Sequence, residues 1–163
     1  SPGAKMAFHT WSRFETPPIT DVITLPAHAS QRALTDPAAL TAKVAPLLRP
    51  AAEFFTVDAD GVALDGWMIK PSHFDPAKKY PVVFYIYGEP ASQTVLDRWG
   101  GSTLLFHRAV AEAGYIVASV DPRGTPAPKG APWRKVVYGA VGELASKDQA
   151  AAARALAARH GFI

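Results

Sequence analysis

Apolar and polar positions alternate differently in the two parts of the chain. Residues 6–12 alternate loosely, and residues 19–25 carry Ile19, Val22, Ile23 and Leu25, with the turn-prone Glu15-Thr16-Pro17-Pro18 between them. This pattern predicts two short strands. Two strands cannot bury a face alone, so they require further sheet. From residue 26 to 52 the pattern breaks up, and residues 40–47 predict a short helix limited by Pro46 and Pro50.

Beyond residue 53 the apolar runs lengthen. Residues 54–57 and 62–70 flank Asp58-Ala59-Asp60-Gly61, which predicts an antiparallel hairpin whose turn uses the conformational freedom of Gly61. Val82-Val83-Phe84-Tyr85-Ile86-Tyr87 is an almost unbroken apolar and aromatic run, the pattern of a strand covered on both faces. Residues 104–113 predict a helix stopped by Gly114, residues 115–120 a second buried strand, and residues 144–159 an alanine-rich helix stopped by Gly161. A long irregular segment separates the last two. Strand, helix, strand, loop and helix is the start of a parallel α/β sheet, whose sites collect outside the carboxyl ends of the strands. Two loops therefore draw attention: Tyr87-Gly88-Glu89-Pro90 and Asp121-Pro122-Arg123-Gly124-Thr125.

Composition narrows the chemistry. The 163 residues are 48% hydrophobic, enough to bury a core, and include 15 prolines, 12 glycines and no cysteine. A disulfide scaffold, a thiol nucleophile and a thiolate metal site are thereby excluded. A net charge of +3 is too small and too evenly spread for a nucleic-acid surface, and no apolar run is long enough to span a membrane. His9, His28, His73, His107 and His160 are scattered singly, without metal-ligand spacing, and no glycine-rich phosphate loop occurs. The sequence calls for no cofactor and no metal. The opening Ser1-Pro2-Gly3-Ala4-Lys5-Met6 has neither an initiator methionine nor a signal-peptide pattern, and Phe162-Ile163 starts something new after a helix stop. The chain reads as a piece of a longer polypeptide, with the bacterial periplasm and cytoplasm both open.

Several ordered motifs carry a resemblance. Trp67-Met68-Ile69-Lys70-Pro71, Phe74-Asp75-Pro76, Lys78-Lys79-Tyr80-Pro81 and Tyr87-Gly88-Glu89-Pro90 resemble the entry into the catalytic domain of the prolyl oligopeptidase family of serine peptidases. Within the family they resemble most the bacterial dipeptidyl peptidase IV branch. Val120-Asp121-Pro122-Arg123-Gly124-Thr125, Gly142-Glu143 and Lys147-Asp148-Gln149 follow in the family's order, and Ser1-Pro2 with Ala7-Phe8-His9-Thr10 resembles its last propeller blade.

The resemblance implies an α/β fold, the N-terminal part of an α/β-hydrolase domain preceded by terminal strands of a β-propeller. Residues 1–35 would be the last propeller strands, 36–52 a linker with a short helix, and 53–163 the start of the catalytic domain, truncated before the nucleophile. It implies a serine-type exopeptidase that releases Xaa-Pro or Xaa-Ala dipeptides from peptide amino termini through an acyl-enzyme. An acylaminoacyl-peptidase, a prolyl endopeptidase and a noncatalytic hydrolase-like binding module remain alternatives. None of the eight serines lies in a Gly-x-Ser-x-Gly elbow. The partners implied are thus a peptide substrate, the remainder of the polypeptide with its Ser/Asp/His triad and most of the propeller, and a second copy in a homodimer. The chain alone is expected to be inactive.

Tyr87 matches the family's tyrosine that donates its hydroxyl to the oxyanion of the tetrahedral intermediate. The residues alone also allow an aromatic packed at a strand end against Pro90, whereas Tyr85, two residues earlier inside the apolar run, reads as core packing. Glu89 departs from the family's glycine and either faces solvent or meets an ammonium group. Arg123 reads either as a substrate clamp or, preferably, as a tie for its own loop through backbone carbonyls. Pro122 replaces the family's asparagine or glycine and removes one donor.

Overall fold

The structure is a computed structural model and describes residues 3–163. Ser1-Pro2, matched above to a propeller turn, lies outside the described residues. The chain divides into two compact units, residues 1–49 with 97–105 and residues 50–96 with 106–163.

The first unit holds an antiparallel sheet of β1 (Met6–Arg13), β2 (Thr16–Thr24) and β3 (Ser30–Ala33), in the order β1-β2-β3. The sequence pattern missed β3, which is four polar or small residues with no alternation to reveal it. Pro17 and Pro18 stand inside β2 rather than in a turn, just where the β1–β2 register slips between Trp11 and Arg13. A slip tolerates residues without an N–H. Helix α1 (Ala38–Val44) and a 3-10 turn over Ala45–Leu48 bring Val44 and Leu48 into the core with Phe14 and Ile23. Among the described residues this sheet has three strands and is not a closed propeller sheet.

The second unit carries a four-stranded mixed sheet: β4 (Glu53–Ala59), β5 (Val62–Ile69), β6 (Val82–Phe84) and β7 (Ile116–Val120), in the order β4-β5-β7-β6. β4 and β5 form the expected hairpin. Asp60 and Gly61 take φ of 55° and 83°, the paired left-handed geometry of a tight hairpin turn, and the Asp58 carboxylate accepts the Gly61 N–H at 2.8 Å. β7 lies antiparallel to β5 on one side and parallel to β6 on the other, which buries all five of its residues.

The run at 82–87 gives a shorter and more exposed strand than its composition predicts. The strand stops at Phe84, Val83 and Tyr85 are each 40% exposed, and Ile86 is 47% exposed. Among the described residues β6 stands at one end of this sheet's order and pairs with β7 alone, so the other side of its backbone is uncovered by them.

Helix α2 covers Gly101–Glu112, α3 Gly130–Lys135 within the segment that looked irregular, and α4 Glu143–Arg159. α4 turns Ala145, Asp148, Ala151, Ala152 and Leu156 inward along one face. Ala151, Ala152 and Leu156 join Val57, Leu64, Met68, Ile116, Ala118 and Val120 in one core. Alanines on this face let the helix approach the sheet closely. The arrangement is α/β.

Candidate functional site

β6 and β7 are parallel and in step, Val82 opposite Ile116 and Phe84 opposite Ala118. The loops that follow them therefore leave the same edge of the sheet, where α/β folds place their sites. The first contains Tyr87 and the second Arg123.

Tyr87 is half-buried, and its hydroxyl donates to Glu89 Oε2 across 3.5 Å. That distance is the outer limit of a hydrogen bond, so the hydroxyl is weakly engaged. Glu89 itself is exposed, the solvent-facing reading of the two offered above. The turn also packs on the first turn of α4: a Cβ placed on Gly88 would stand 3.6 Å from that of Ala145.

Tyr85 occupies a different setting. Its N–H donates to the Ala118 carbonyl at 2.8 Å, one step beyond the end of β6. Its ring lies 4.7 Å from His107 and 6.5 Å from that of Trp67, between centroids. Among the described residues it packs on these two side chains and is 40% exposed. His107 is buried beneath it, 5.4 Å from Trp67, and that burial pushes the imidazole pKa below its ordinary value.

Arg123 is a tie and not a free cation. Its Nη2 donates to Asp148 Oδ1 at 2.6 Å, Nε lies 3.1 Å from both carboxylate oxygens, and its N–H donates to Oδ2 at 2.8 Å. The bonding to Asp148 raises the guanidinium pKa further. The anchor is thus a buried carboxylate on α4 and not the carbonyls of its own loop. Gln149, next along α4, donates Nε2 to the Val120 carbonyl at 2.6 Å. Asp148 and Gln149 therefore pin the end of β7 and the loop after it, while Lys147 pairs with Glu143 on its own helix, which their sequence position alone did not reveal. Gly124 takes φ of 94°, and a Cβ there would lie 2.6 Å from Val137 Cγ2, so the loop needs glycine at this point. Pro122 keeps its carbonyl in use, accepting from the Thr125 hydroxyl at 3.1 Å.

Sequence reasoning missed the polar group formed by buried Ser119 and Asp121 with half-buried Thr94. Thr94 N–H and Val95 N–H donate to the two oxygens of Asp121 at 2.8 and 3.1 Å, and Ser119 donates to the Tyr85 carbonyl at 2.6 Å. The signal was a serine and an aspartate in and just after an otherwise apolar buried strand. Among the described residues no group of three or more histidine, aspartate and glutamate side chains could hold a metal ion, and no helix is long and apolar enough to cross a membrane.

Comparison with known proteins fits this geometry. Residues 104–163 match the prolyl oligopeptidase family. The chain is 42% identical over 127 residues to a probable dipeptidyl-aminopeptidase B of Aspergillus fumigatus, covering 77% of this chain and 13% of that protein. A probable dipeptidyl-aminopeptidase B of Botryotinia fuckeliana is 41% identical over 105 residues, 64% of this chain and 11% of that protein. The crystal structure of Porphyromonas gingivalis dipeptidyl peptidase 4 superposes with a TM-score of 0.86 at 33% identity, over 98% of this chain and 22% of that one. A putative dipeptidyl aminopeptidase IV from Bacteroides ovatus gives a TM-score of 0.77 at 25% identity, over 94% and 22%. The chain spans little more than a tenth of the curated relatives it matches.

Proposed function

We propose that this chain, which matches the prolyl oligopeptidase family and is structurally close to bacterial dipeptidyl peptidase IV, is a segment of a serine-type dipeptidyl peptidase. The observation that carries the reading is the similarity to the Porphyromonas gingivalis enzyme across 98% of the chain, at 33% identity. In this reading residues 1–35 are the last strands of a β-propeller, 36–52 a linker, and 53–163 the start of an α/β-hydrolase domain. The serine nucleophile, the aspartate and the histidine come from the rest of the polypeptide, since no serine here lies in a nucleophile elbow.

Tyr87 supplies an oxyanion donor. When the serine attacks the carbonyl carbon of the scissile bond, negative charge develops on the carbonyl oxygen, and an O–H aimed at that point is strengthened as the charge grows. One such donor is worth about 3 kcal/mol of transition-state stabilisation. The loosely held hydroxyl of Tyr87, at the strand-end edge of the sheet, suits this role because little must be broken to turn it toward the oxyanion. Arg123, already committed to Asp148, keeps the neighbouring loop in shape and does not clamp substrate.

The test is turnover by the full-length polypeptide that contains residues 1–163. It should release the chromophore from a glycyl-prolyl substrate with a free amino terminus and lose that activity to a serine-directed phosphonate. Residues 1–163 alone should release nothing above buffer. Preference for an amino-blocked acylaminoacyl substrate, or cleavage within longer prolyl peptides, would assign the protein to another activity of the same family.

A further inference from the structure

The loop carrying Tyr87 leaves the sheet at Tyr85 and meets it again at Thr94, and one run of hydrogen-bonded oxygens anchors both points to buried Ser119 and Asp121. Ser119, fully buried in β7, donates its hydroxyl to the Tyr85 carbonyl at 2.6 Å. Its Oγ lies 2.6 Å from Thr94 Oγ1, which stands 2.9 Å from Asp121 Oδ1. Asp121, itself buried, also accepts the Thr94 and Val95 N–H groups at 2.8 and 3.1 Å. Trp67, the cross-strand partner of Ser119 on the same face, donates Nε1 to the Thr94 carbonyl at 3.0 Å.

Two hydroxyl protons serve these three oxygen–oxygen contacts. The Tyr85 carbonyl and the Asp121 carboxylate only accept, so Ser119 donates its proton to Tyr85 and Thr94 donates its proton to Asp121 Oδ1, with the two hydroxyl oxygens in contact between them. The two hydroxyls donate outward, one to each end of the loop, and their contact couples the two ends.

Its location is informative. The backbone ladder of β6 ends with the Tyr85 N–H on the Ala118 carbonyl, and the Tyr85 carbonyl would then turn away unpaired. Ser119 takes that carbonyl with a side chain in place of the next rung of the ladder. This fixes the direction in which the chain leaves the sheet two residues before Tyr87, just past the end of β6, where Tyr85 is 40% exposed. Packing alone would be satisfied by alanine at 119 and valine at 94. The hydroxyls are what add direction.

We propose that Ser119 and Thr94 are positioning residues for Tyr87, holding the exit of its loop so that the hydroxyl meets the oxyanion at a fixed point. This rests on the reading of Tyr87 as the oxyanion donor. Catalytic geometry is steep in distance, and a misplacement of about 1 Å can cost roughly 100-fold. Releasing one anchor should therefore lower kcat while leaving substrate binding nearly intact.

The experiment uses the full-length polypeptide and a glycyl-prolyl chromogenic substrate, with folding followed by circular dichroism. Ser119→Ala and Thr94→Val should each lower kcat by roughly tenfold or more, with KM within about twofold, while Thr94→Ser, which restores the hydroxyl, should recover at least about half of the parental kcat. Ser119→Ala added to Tyr87→Phe should cost less than about twofold further, because the group it positions is already gone. If Ser119→Ala does not fold, the Thr94→Val and Thr94→Ser pair carries the same comparison alone and on Tyr87→Phe. Parental kcat in the hydroxyl-deleted variants, or their full loss persisting on top of Tyr87→Phe, overturns the inference while the role of Tyr87 stands. Parental kcat in Tyr87→Phe itself overturns that role and the inference together.

Discussion

Asp148, buried on α4, grips Arg123 of the loop after β7 by both its side chain and its main chain, with the shortest contact 2.6 Å from Nη2 to Oδ1. The two groups are unequally sheltered: the aspartate side chain is 2% exposed and the arginine side chain 28%. Removing one partner of such a pair strands the other, and only the arginine can turn toward water.

The consequence is an asymmetry in stability. Arg123→Met should destabilise the full-length protein by about 3 kcal/mol or more, because it leaves a buried carboxylate with only a backbone N–H. Asp148→Asn should cost less, and Arg123→Lys should recover only part of the loss because it lacks the planar fork. Denaturant unfolding followed by tryptophan fluorescence measures all three. Equal costs for Arg123→Met and Asp148→Asn would contradict the burial argument.

Tyr87→Phe keeps the ring and deletes the hydroxyl. In the full-length protein kcat and kcat/KM should fall together by roughly 100-fold, with KM little changed, because the lost bond forms mainly in the transition state. Tyr85→Phe retains the packing on His107 and Trp67 and should leave kcat within about threefold. Steady-state kinetics on an Xaa-Pro substrate compares the two, and a folded Tyr87→Phe enzyme with more than half the parental kcat would make this tyrosine structural.

Glu89 is a charge placed beside that donor, 3.5 Å from the Tyr87 hydroxyl. A carboxylate here competes for the O–H and repels a developing oxyanion. Glu89→Gln should raise kcat by about threefold at low salt, with the gain shrinking toward none near 0.5 M salt, roughly where screening removes an exposed charge. A fall in kcat would instead identify Glu89 as a group that helps bind the substrate.

Burial holds the His107 imidazole pKa below its ordinary value, and His160 shifts the same way, through burial first and then the positive Arg159 and Lys70 nearby. The unfolded chain thus takes up these protons first. Below about pH 6.5 the unfolded state binds more protons than the folded one, so stability is lost as pH falls from 7 toward 5. Glu112, lowered chiefly by its bond from the Ser72 hydroxyl, adds a separate loss only below about pH 4.3. His107→Phe should flatten the fall in Tm between pH 7 and 5 without altering the step below it. A slope unchanged by this substitution would assign the effect elsewhere.

Local pattern was enough for much of the second unit. The hairpin at Asp60-Gly61, the buried strand β7 and the alanine-rich α4 follow from turn chemistry and apolar periodicity, both of which act over a few residues. The ordered motifs from Trp67 to Gln149 also carried the family resemblance, because each is a short contiguous string.

What the sequence could not convey was pairing between distant residues. Composition at 82–87 reports hydrophobicity and not pairing, and only the strand order β4-β5-β7-β6 shows that β6 stops at Phe84 and pairs with β7 alone among the described residues. Arg123 and Asp148 are 25 positions apart, Ser119 and Tyr85 are 34 apart, and nothing in either member of a pair names the other. A buried polar group must find a partner, but which one it finds depends on where the helices and strands bring the chain back together. The sequence by itself determined the hairpin, β7, α4 and the family resemblance, whose signals are local; tertiary packing decided which carboxylate holds the arginine and which hydroxyls bond the two ends of the loop of Tyr87.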